Sequence, residues 1–541
     1  MTAPGWRGFL LEALPGDEQN LLSAALATLA EAFTVIAEPA APGAGPRRRS
    51  WLDTFDWRLY RAGLILVFEQ ARRGGRLLLS QADGTPQAEQ AVTSWPRRPP
   101  LDLPEGPVRD RIIVLTRPRA LLPVVRAVST ASVTRLLNAD GKTVARLVAD
   151  RITVTAPSQP AASHAATSQI ATTAELAPRL AVTEVRGYPG QARKASALLA
   201  GVPGVAPASQ GTFMAALTAL GRHPADYNSG VAAEITAAMP APVAVARLLL
   251  RLLDTVESNV DGVLRDIDTE FLHDLRVAVR RTRSAVKLLG AVLPDELAKH
   301  YQAEFKWLGD VTTPVRDLDV HLLGFDAMAA QLAAASPADL EPLRAFLARR
   351  RAREVRRLAA ALRGPRFRAI ADDWRKALLE IRDTGSARRR PPAAVTLALS
   401  TTGRAFRRVA TQGGAITPAS PPESLHDLRK RAKELRYLLE FFAPLHDPVA
   451  YRKVVGDLKQ LQDCLGDFQD SEVQRGEISS LAEAMLAERA APAATLLAMG
   501  EIAAKLARSQ AQARAEFAVR FARFAGPAGQ ERVRVLLEGP S

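Results

Sequence analysis

Two stretches decide how this chain is read: LHDLRVAVRRTRSAVKLL at Leu272–Leu289 and LHDLRKRAKELRYLLEFF at Leu425–Phe442. They share Leu-His-Asp-Leu-Arg, shifted by 153 residues (272 to 425) without a gap. The basic pattern continues through Arg280, Arg283 and Lys287 in the first copy, and Lys433, Arg436 and then Glu440 in the second. Leu308-Gly309-Asp310 with Arg316 to Val320 is echoed by Leu465-Gly466-Asp467 and Asp470 to Val473. Such an identity at one offset marks an internal duplication.

At about 100° per residue, His273, Arg276, Arg280, Arg283 and Lys287 fall within an arc of about 80°. His426, Arg429, Lys433 and Arg436 fall in the same arc, widened by Lys430 and Tyr437. Opposite them lie Leu275, Val279, Thr282, Val286 and Leu289, and Leu428, Ala432, Leu435, Leu439 and Phe442. Each copy predicts a helix with an apolar back and a cationic front. One such stripe is ordinarily a solvated face. Two of them converging on one surface would repel, and an anion between them would relieve the repulsion. Arg grips phosphate with a planar fork, and Lys adds a mobile point charge. Neither histidine has a Cys or second His at ligand spacing, so a His-based metal site is rejected. Asp274 and Asp427 read as local caps or partners. Asp317 and Asp319 read as buttresses of the basic face, their two-residue spacing being wrong for a catalytic pair.

The rest of the chain fits this reading. At 541 residues it is too long for one core. With 72 Lys plus Arg against 57 Asp plus Glu, its formal charge of +15 favours an anionic partner. Cys464 is the one cysteine, which excludes a disulfide framework and a Cys-based metal centre. No signal segment or charge-free apolar run long enough to span a membrane is visible. Aromatic residues are 5% of the chain and do not interleave the basic stripes apart from Tyr437, which argues against stacking on nucleic acid.

Residues 1–203 predict a domain of short strands, at Gly63–Phe68, Arg76–Leu79, Arg111–Leu115, Ala131–Leu137, Thr143–Leu147, Arg151–Thr155 and Arg179–Val185, with a helix at Gln191–Leu199 and a flexible loop over 156–174. Residues 204–240 read as a linker. Residues 241–530 read as about eight helices, with breaks that include Gly290–Pro294, Thr312–Pro314, Gly364-Pro365 and Pro444–Pro448. The repeat halves are about 241–385 and 395–530. The fold class is α+β. The dense basic runs Arg349–Arg357 and Arg388–Arg390 read as solubilising surface.

The paired motifs, with LGDVTTPVRDLDV (308–320) between them, resemble the CHAD family, the conserved histidine α-helical domain. The resemblance covers about residues 240–530. It implies two pseudo-symmetric four-helix bundles and a groove that binds inorganic polyphosphate. The phosphate contacts it implies are His273, Arg276, Arg280, Arg281, Arg283, Lys287 and Arg316 in the first half. In the second they are His426, Arg429, Lys430, Lys433 and Arg436, with Tyr437 beside them and Lys306 and Lys459 on neighbouring helices. Glu440 stands where the first copy has Lys287, which would weaken the grip at that end.

Trp51-Leu52-Asp53-Thr54-Phe55-Asp56 is similar to the Tyr-x-Asp-Thr-x-Asp segment of the CYTH domain, an antiparallel barrel that forms a triphosphate tunnel. The N-terminal half looks like a degenerate copy. It lacks the Glu-x-Glu-x-Lys motif, keeping only Glu12 in its first strand-like run. It carries Val67, Phe68 and Glu69 where the family has basic residues, and retains Glu184 and Arg186 with Val182 in place of an acid. Too few carboxylates remain to hold a divalent ion. The expectation is a non-enzymatic, cytoplasmic protein on polyphosphate granules, without cofactor or metal, whose barrel serves as structure or recruits a protein partner. The alternatives are a magnesium- or manganese-dependent triphosphatase or phosphotransferase in the N-terminal domain, and a basic nucleic-acid binder.

Overall fold

The computed structural model describes residues 7–11, 17–39, 45–71, 73–93, 102–157, 172–231, 233–385 and 391–538. Glu12, residues 158–171 of the expected loop, and Arg388–Arg390 lie outside the described residues. The chain forms two compact units, Met1–Asn228 and Ser229–Ser541.

The first unit holds strands β1 (Arg7–Leu11), β2 (Thr34–Glu38), β3 (Arg47–Asp53), β4 (Leu64–Gln70), β5 (Gly75–Gln81), β6 (Pro86–Val92), β7 (Leu122–Leu137), β8 (Thr143–Thr155), β9 (Thr173–Glu175), β10 (Arg179–Glu184) and β11 (Val205–Pro207). Its helices are α1 (Glu18–Ala30), α2 (Arg58–Arg61), α3 (Pro107–Thr116), α4 (Pro189–Ala200) and α5 (Thr212–Ala219). The sheet is antiparallel in the order β11-β1-β10-β8-β7-β3-β4-β5-β6, with β2 on β7 and β9 on β8. Its spine is the β7–β8 hairpin. There the Asn138 side chain accepts from the Asp140 and Lys142 amides, and Gly141 supplies a positive φ of 73°.

The sheet is not closed into the expected barrel: β11 and β6 end the order and are not bonded to each other. One end strand is only three residues long, and one sheet face is covered by a helix. Phe213, Ala216 and Leu217 of α5, inside the stretch expected as linker, pack with Trp51, Val125, Ile152 and Val154. Arg111–Leu115 is helical, not a strand. Pro107 sits in the first turn of α3, and the Gln90 side-chain oxygen accepts from the Val108 and Arg109 amides at 3.1 Å each. Val108, Ile112 and Thr116 are buried at four-residue spacing, a period that five residues are too few to reveal.

The second unit holds α6 (Ala241–Leu264), α7 (Thr269–Leu289), α8 (Asp295–Leu323), α9 (Phe325–Ala329), α10 (Glu341–Arg363), α11 (Pro365–Thr384), α12 (Ala394–Gly414), α13 (Pro422–Phe441), α14 (Pro448–Ala487), α15 (Ala493–Ala525) and α16 (Pro527–Glu538). Each half therefore has more than four helices among the described residues. Gly364-Pro365 and Gly526-Pro527 each end one helix and begin another, because proline suits a first turn and not an interior. The expected break at Thr312–Pro314 does not occur, since α8 runs through Pro314. Around it the Thr312 and Thr313 hydroxyls and the Arg276 guanidinium all donate to the Gly309 carbonyl. The apolar backs of α7 and α13 are buried as their spacing requires. The second half has its own core, including Leu428, Leu435, Leu458 and Phe517. A further core joins the two halves through Phe325, Phe346, Ile478 and Met485.

Candidate functional site

Helices α7 and α13 start from similar sequences and pack against each other. Asp268 caps α7, its carboxylate accepting from the Glu270 and Phe271 amides at 2.9 and 3.3 Å. Position 281 is equivalent to 434 in the repeat, and 287 to 440. The Arg281 guanidinium donates to Glu440 at 2.7 Å, and the Lys287 ammonium donates to Glu434, also at 2.7 Å. The same two positions therefore meet in both directions, each time as an opposite-charge pair. Glu440 also accepts from Arg436 at 2.8 Å, so it clamps a guanidinium from each helix.

Beside this seam lies a cleft of about 310 Å³, lined by Arg280, Arg283, Ser284, Lys287, Gln302, Lys306, Lys430, Lys433, Glu434 and Tyr437. Six of these are cations and one is a carboxylate. Arg280 Nε donates to the Tyr437 hydroxyl at 2.7 Å across the two helices. Lys306 and Lys430 are exposed and pair with carboxylates on their own helices, Asp310 at 3.0 Å and Asp427 at 3.1 Å. Burial, and then the guanidiniums of Arg429 and Arg280, push the Lys433 ammonium down to about 8, with Asp470 opposing. Part of that depression comes from positive charge gathered around the ammonium, which an anion in the cleft would relieve.

The other expected contacts lie elsewhere. Arg281 and Arg436 serve the Glu440 clamp. Arg276 is half-buried against α8, donating to Gly309 O, Thr312 Oγ1 and Thr313 Oγ1 at 3.1, 2.9 and 2.8 Å. Burial, and then the Arg316 guanidinium, lower the His273 pKa, so its imidazole is neutral at pH 7. Arg316 Nη1 is buried without a hydrogen-bond partner among the described residues. His426 Nδ1 bonds the Gln469 side chain, and Arg429 reaches Asp470 at 2.9 Å. Lys459 is exposed on α14 and is not among the lining residues. Asp319 holds Arg351 at 2.6 Å, away from the cleft.

A second concavity of about 260 Å³ shares Lys287 and Glu434 with the cleft and adds Arg404, Arg408 and Arg431. The sequence reading missed these three. Arg404 and Arg408 are four apart on α12, a spacing that signals one face, but α12 is not part of the repeated motif.

In the first unit, the segment that is similar to the tunnel family folds onto itself. The Asp53 carboxylate accepts from the amides of Thr54, Leu59 and Tyr60 at 2.7, 2.9 and 2.8 Å, and burial nonetheless raises its pKa to about 6. Asp56 accepts from Thr54 Oγ1 and Arg58 Nε at 2.7 and 2.9 Å. Among the described residues no group of three or more His, Cys, Asp or Glu side chains is placed to hold a metal ion. Nor is any described helix long and apolar enough to cross a membrane.

Residues 247–479, which include both repeated helices, match the family model of the CHAD domain. Two uncharacterised proteins of Mycobacterium tuberculosis, from strains CDC 1551 / Oshkosh and ATCC 25618 / H37Rv, are each 27% identical over 228 residues, 40% of this chain. The match spans 41% of the length of those relatives. Among solved structures, the CHAD domain from the plant Ricinus communis is 23% identical with a TM-score of 0.42, covering 58% of this chain and 97% of that one. PptA from Streptomyces chartreusis is 17% identical with a TM-score of 0.41, covering 52% and 99%.

Proposed function

We propose that the protein binds inorganic polyphosphate, without chemistry, in the cleft between α7 and α13. The observation that carries this reading is that Arg280 and Lys433, equivalent positions of the repeat, line one cleft, where burial and then the crowding guanidiniums of Arg429 and Arg280 depress the Lys433 ammonium. A polyanion relieves that crowding, and its uniform repeat suits a track of cations that differ in type but not in sign. The paired contacts at 281/440 and 434/287 support a local pseudo-two-fold axis between the helices. The neighbouring concavity with Arg404 and Arg408 would extend the track for a long chain. We further propose that the sheet unit is non-enzymatic and that the protein resides on cytoplasmic polyphosphate granules.

Calorimetric titration of the full chain with long-chain polyphosphate at two salt concentrations tests this reading. The parent should bind, and more weakly at higher salt as counterions cease to favour release. The Arg280→Ala/Lys433→Ala variant should bind about a hundredfold more weakly. Binding indifferent to that variant would remove the cleft from consideration. Metal-dependent phosphate release abolished by Glu184→Ala would replace the non-enzymatic reading.

A further inference from the structure

The second unit carries another cationic basin, outside the repeated motifs. On α14, Arg452, Lys453, Gly456 and Asp457 share one face by their spacing. A Cβ built at Gly456 would meet nothing within 4 Å, so the glycine leaves the floor of that face open. Across from it lies the α15–α16 corner at Gly526-Pro527. Together they enclose a concavity of about 540 Å³. Asp457 is its only carboxylate among the described lining residues, and it is occupied by Arg523 at 3.1 Å and Arg532 at 2.7 Å. Arg532 Nε is buried without a hydrogen-bond partner among the described residues. Arg452 and Lys453 are exposed at the rim, leaving four cations against one carboxylate. The first turn of α16 reaches the same concavity at Pro527 and Ala528, and of these only Ala528 has an amide, one that precedes any intrahelical acceptor.

We infer that this basin is a second anion site, built for the phosphoryl groups of a short oligophosphate or of one end of a longer chain. Asp457 positions the two inner guanidiniums side by side, Arg452 and Lys453 close over the outer oxygens, and the Ala528 amide meets the far end. The inference goes beyond the cleft reading and stands on different residues. A phosphate chain could be inorganic or belong to a nucleotide, so two probes are needed.

The full chain is titrated with inorganic tripolyphosphate and with ATP. The Arg452→Ala/Lys453→Ala variant changes two exposed side chains, and its circular dichroism should match the parent. It should lose one class of tripolyphosphate site, weakened at least about tenfold, while Lys453→Arg retains it. Arg280→Ala/Lys433→Ala should leave that class intact. A titration of Arg452→Ala/Lys453→Ala that matches the parent would overturn the inference and leave the cleft reading standing. Loss of all binding in that variant, with no effect of the cleft substitutions, would support the basin and remove the cleft. ATP should bind as tripolyphosphate does. ATP bound more than about tenfold tighter would overturn the assignment to bare phosphoryl groups, since a nucleoside would then be recognised.

Discussion

Helices α7 and α13 share Leu-His-Asp-Leu-Arg from their fourth residue, yet their basic side chains do different work. In α7, Arg276 is drawn into α8 by Gly309 O and the hydroxyls of Thr312 and Thr313. In α13, the equivalent Arg429 meets Asp470 on α14, and His426 bonds Gln469. The motif fixes where each side chain leaves the helix, and the neighbouring helix decides whether it is locked into the scaffold or left for a ligand. The two copies thus differ most where α8 and α14 differ. At the seam the same two positions meet in both directions, and because the copies carry opposite charges there, they are held together.

The comparison breaks first at Glu440, which binds a guanidinium from each helix. Glu440→Lys restores the residue type of the first copy but sets a cation against Arg281 and Arg436. It should destabilise the protein by about 3 kcal/mol in urea unfolding. An unchanged midpoint would mean that the clamp contributes nothing.

Lys433 tests the other side of the asymmetry. Its folded pKa is lowered to about 8 from an ordinary 10.5. Between those values the unfolded chain holds a proton that the folded chain lacks, so this group makes stability rise with pH across that window. Lys433→Met should remove that rise and stabilise the unliganded protein at pH 7 by about 1 kcal/mol, while weakening polyphosphate binding. In the parent, affinity should fall as pH climbs past about 8, because the free site then has to take up a proton to bind.

A smaller effect separates the cleft from its extension. Arg404→Ala/Arg408→Ala should lower the salt dependence of long-chain binding by about two charges. It should leave tripolyphosphate binding unchanged in the same titrations. The two equivalent glycines give the finest contrast. A Cβ at Gly309 would sit 3.1 Å from Arg283 Nη1, whereas at Gly466 it would sit 3.8 Å from Arg429 Nη2. Gly466→Ala should therefore stabilise by up to about 1 kcal/mol through helix propensity, with unchanged binding. Gly309→Ala should gain less and weaken binding by a small factor, because Arg283 has to shift. Thermal unfolding and titration of both variants would show it.

The repeat, the helical faces and their buried backs were legible because they follow from spacing within one element. The lining of the cleft by Arg280, Arg283, Lys287, Lys430 and Lys433 could be read the same way. The partners that remove Arg276, Arg281 and Arg436 from it could not, since they lie on other helices or across the seam. Glu440 stands where the first copy has Lys287, and its bond to Arg281 across the seam could not be read from spacing. In the first unit, Val, Leu and Ile marked strands well at 64–70 and 179–184. They misled at 111–115, where Pro107 and the distant Gln90 side chain start a helix. The open order of the sheet was not legible either, because which strands pair at its ends depends on residues far apart in the chain.

The central claim is that the two basic faces form one site, and a double-mutant cycle on long-chain polyphosphate affinity tests it most directly. Arg280→Ala, Lys433→Ala and the double variant are titrated side by side at one salt concentration. Side chains sharing a ligand in one cleft should show a coupling energy above about 0.5 kcal/mol. Strictly additive losses would contradict the account and place the two residues on separate faces.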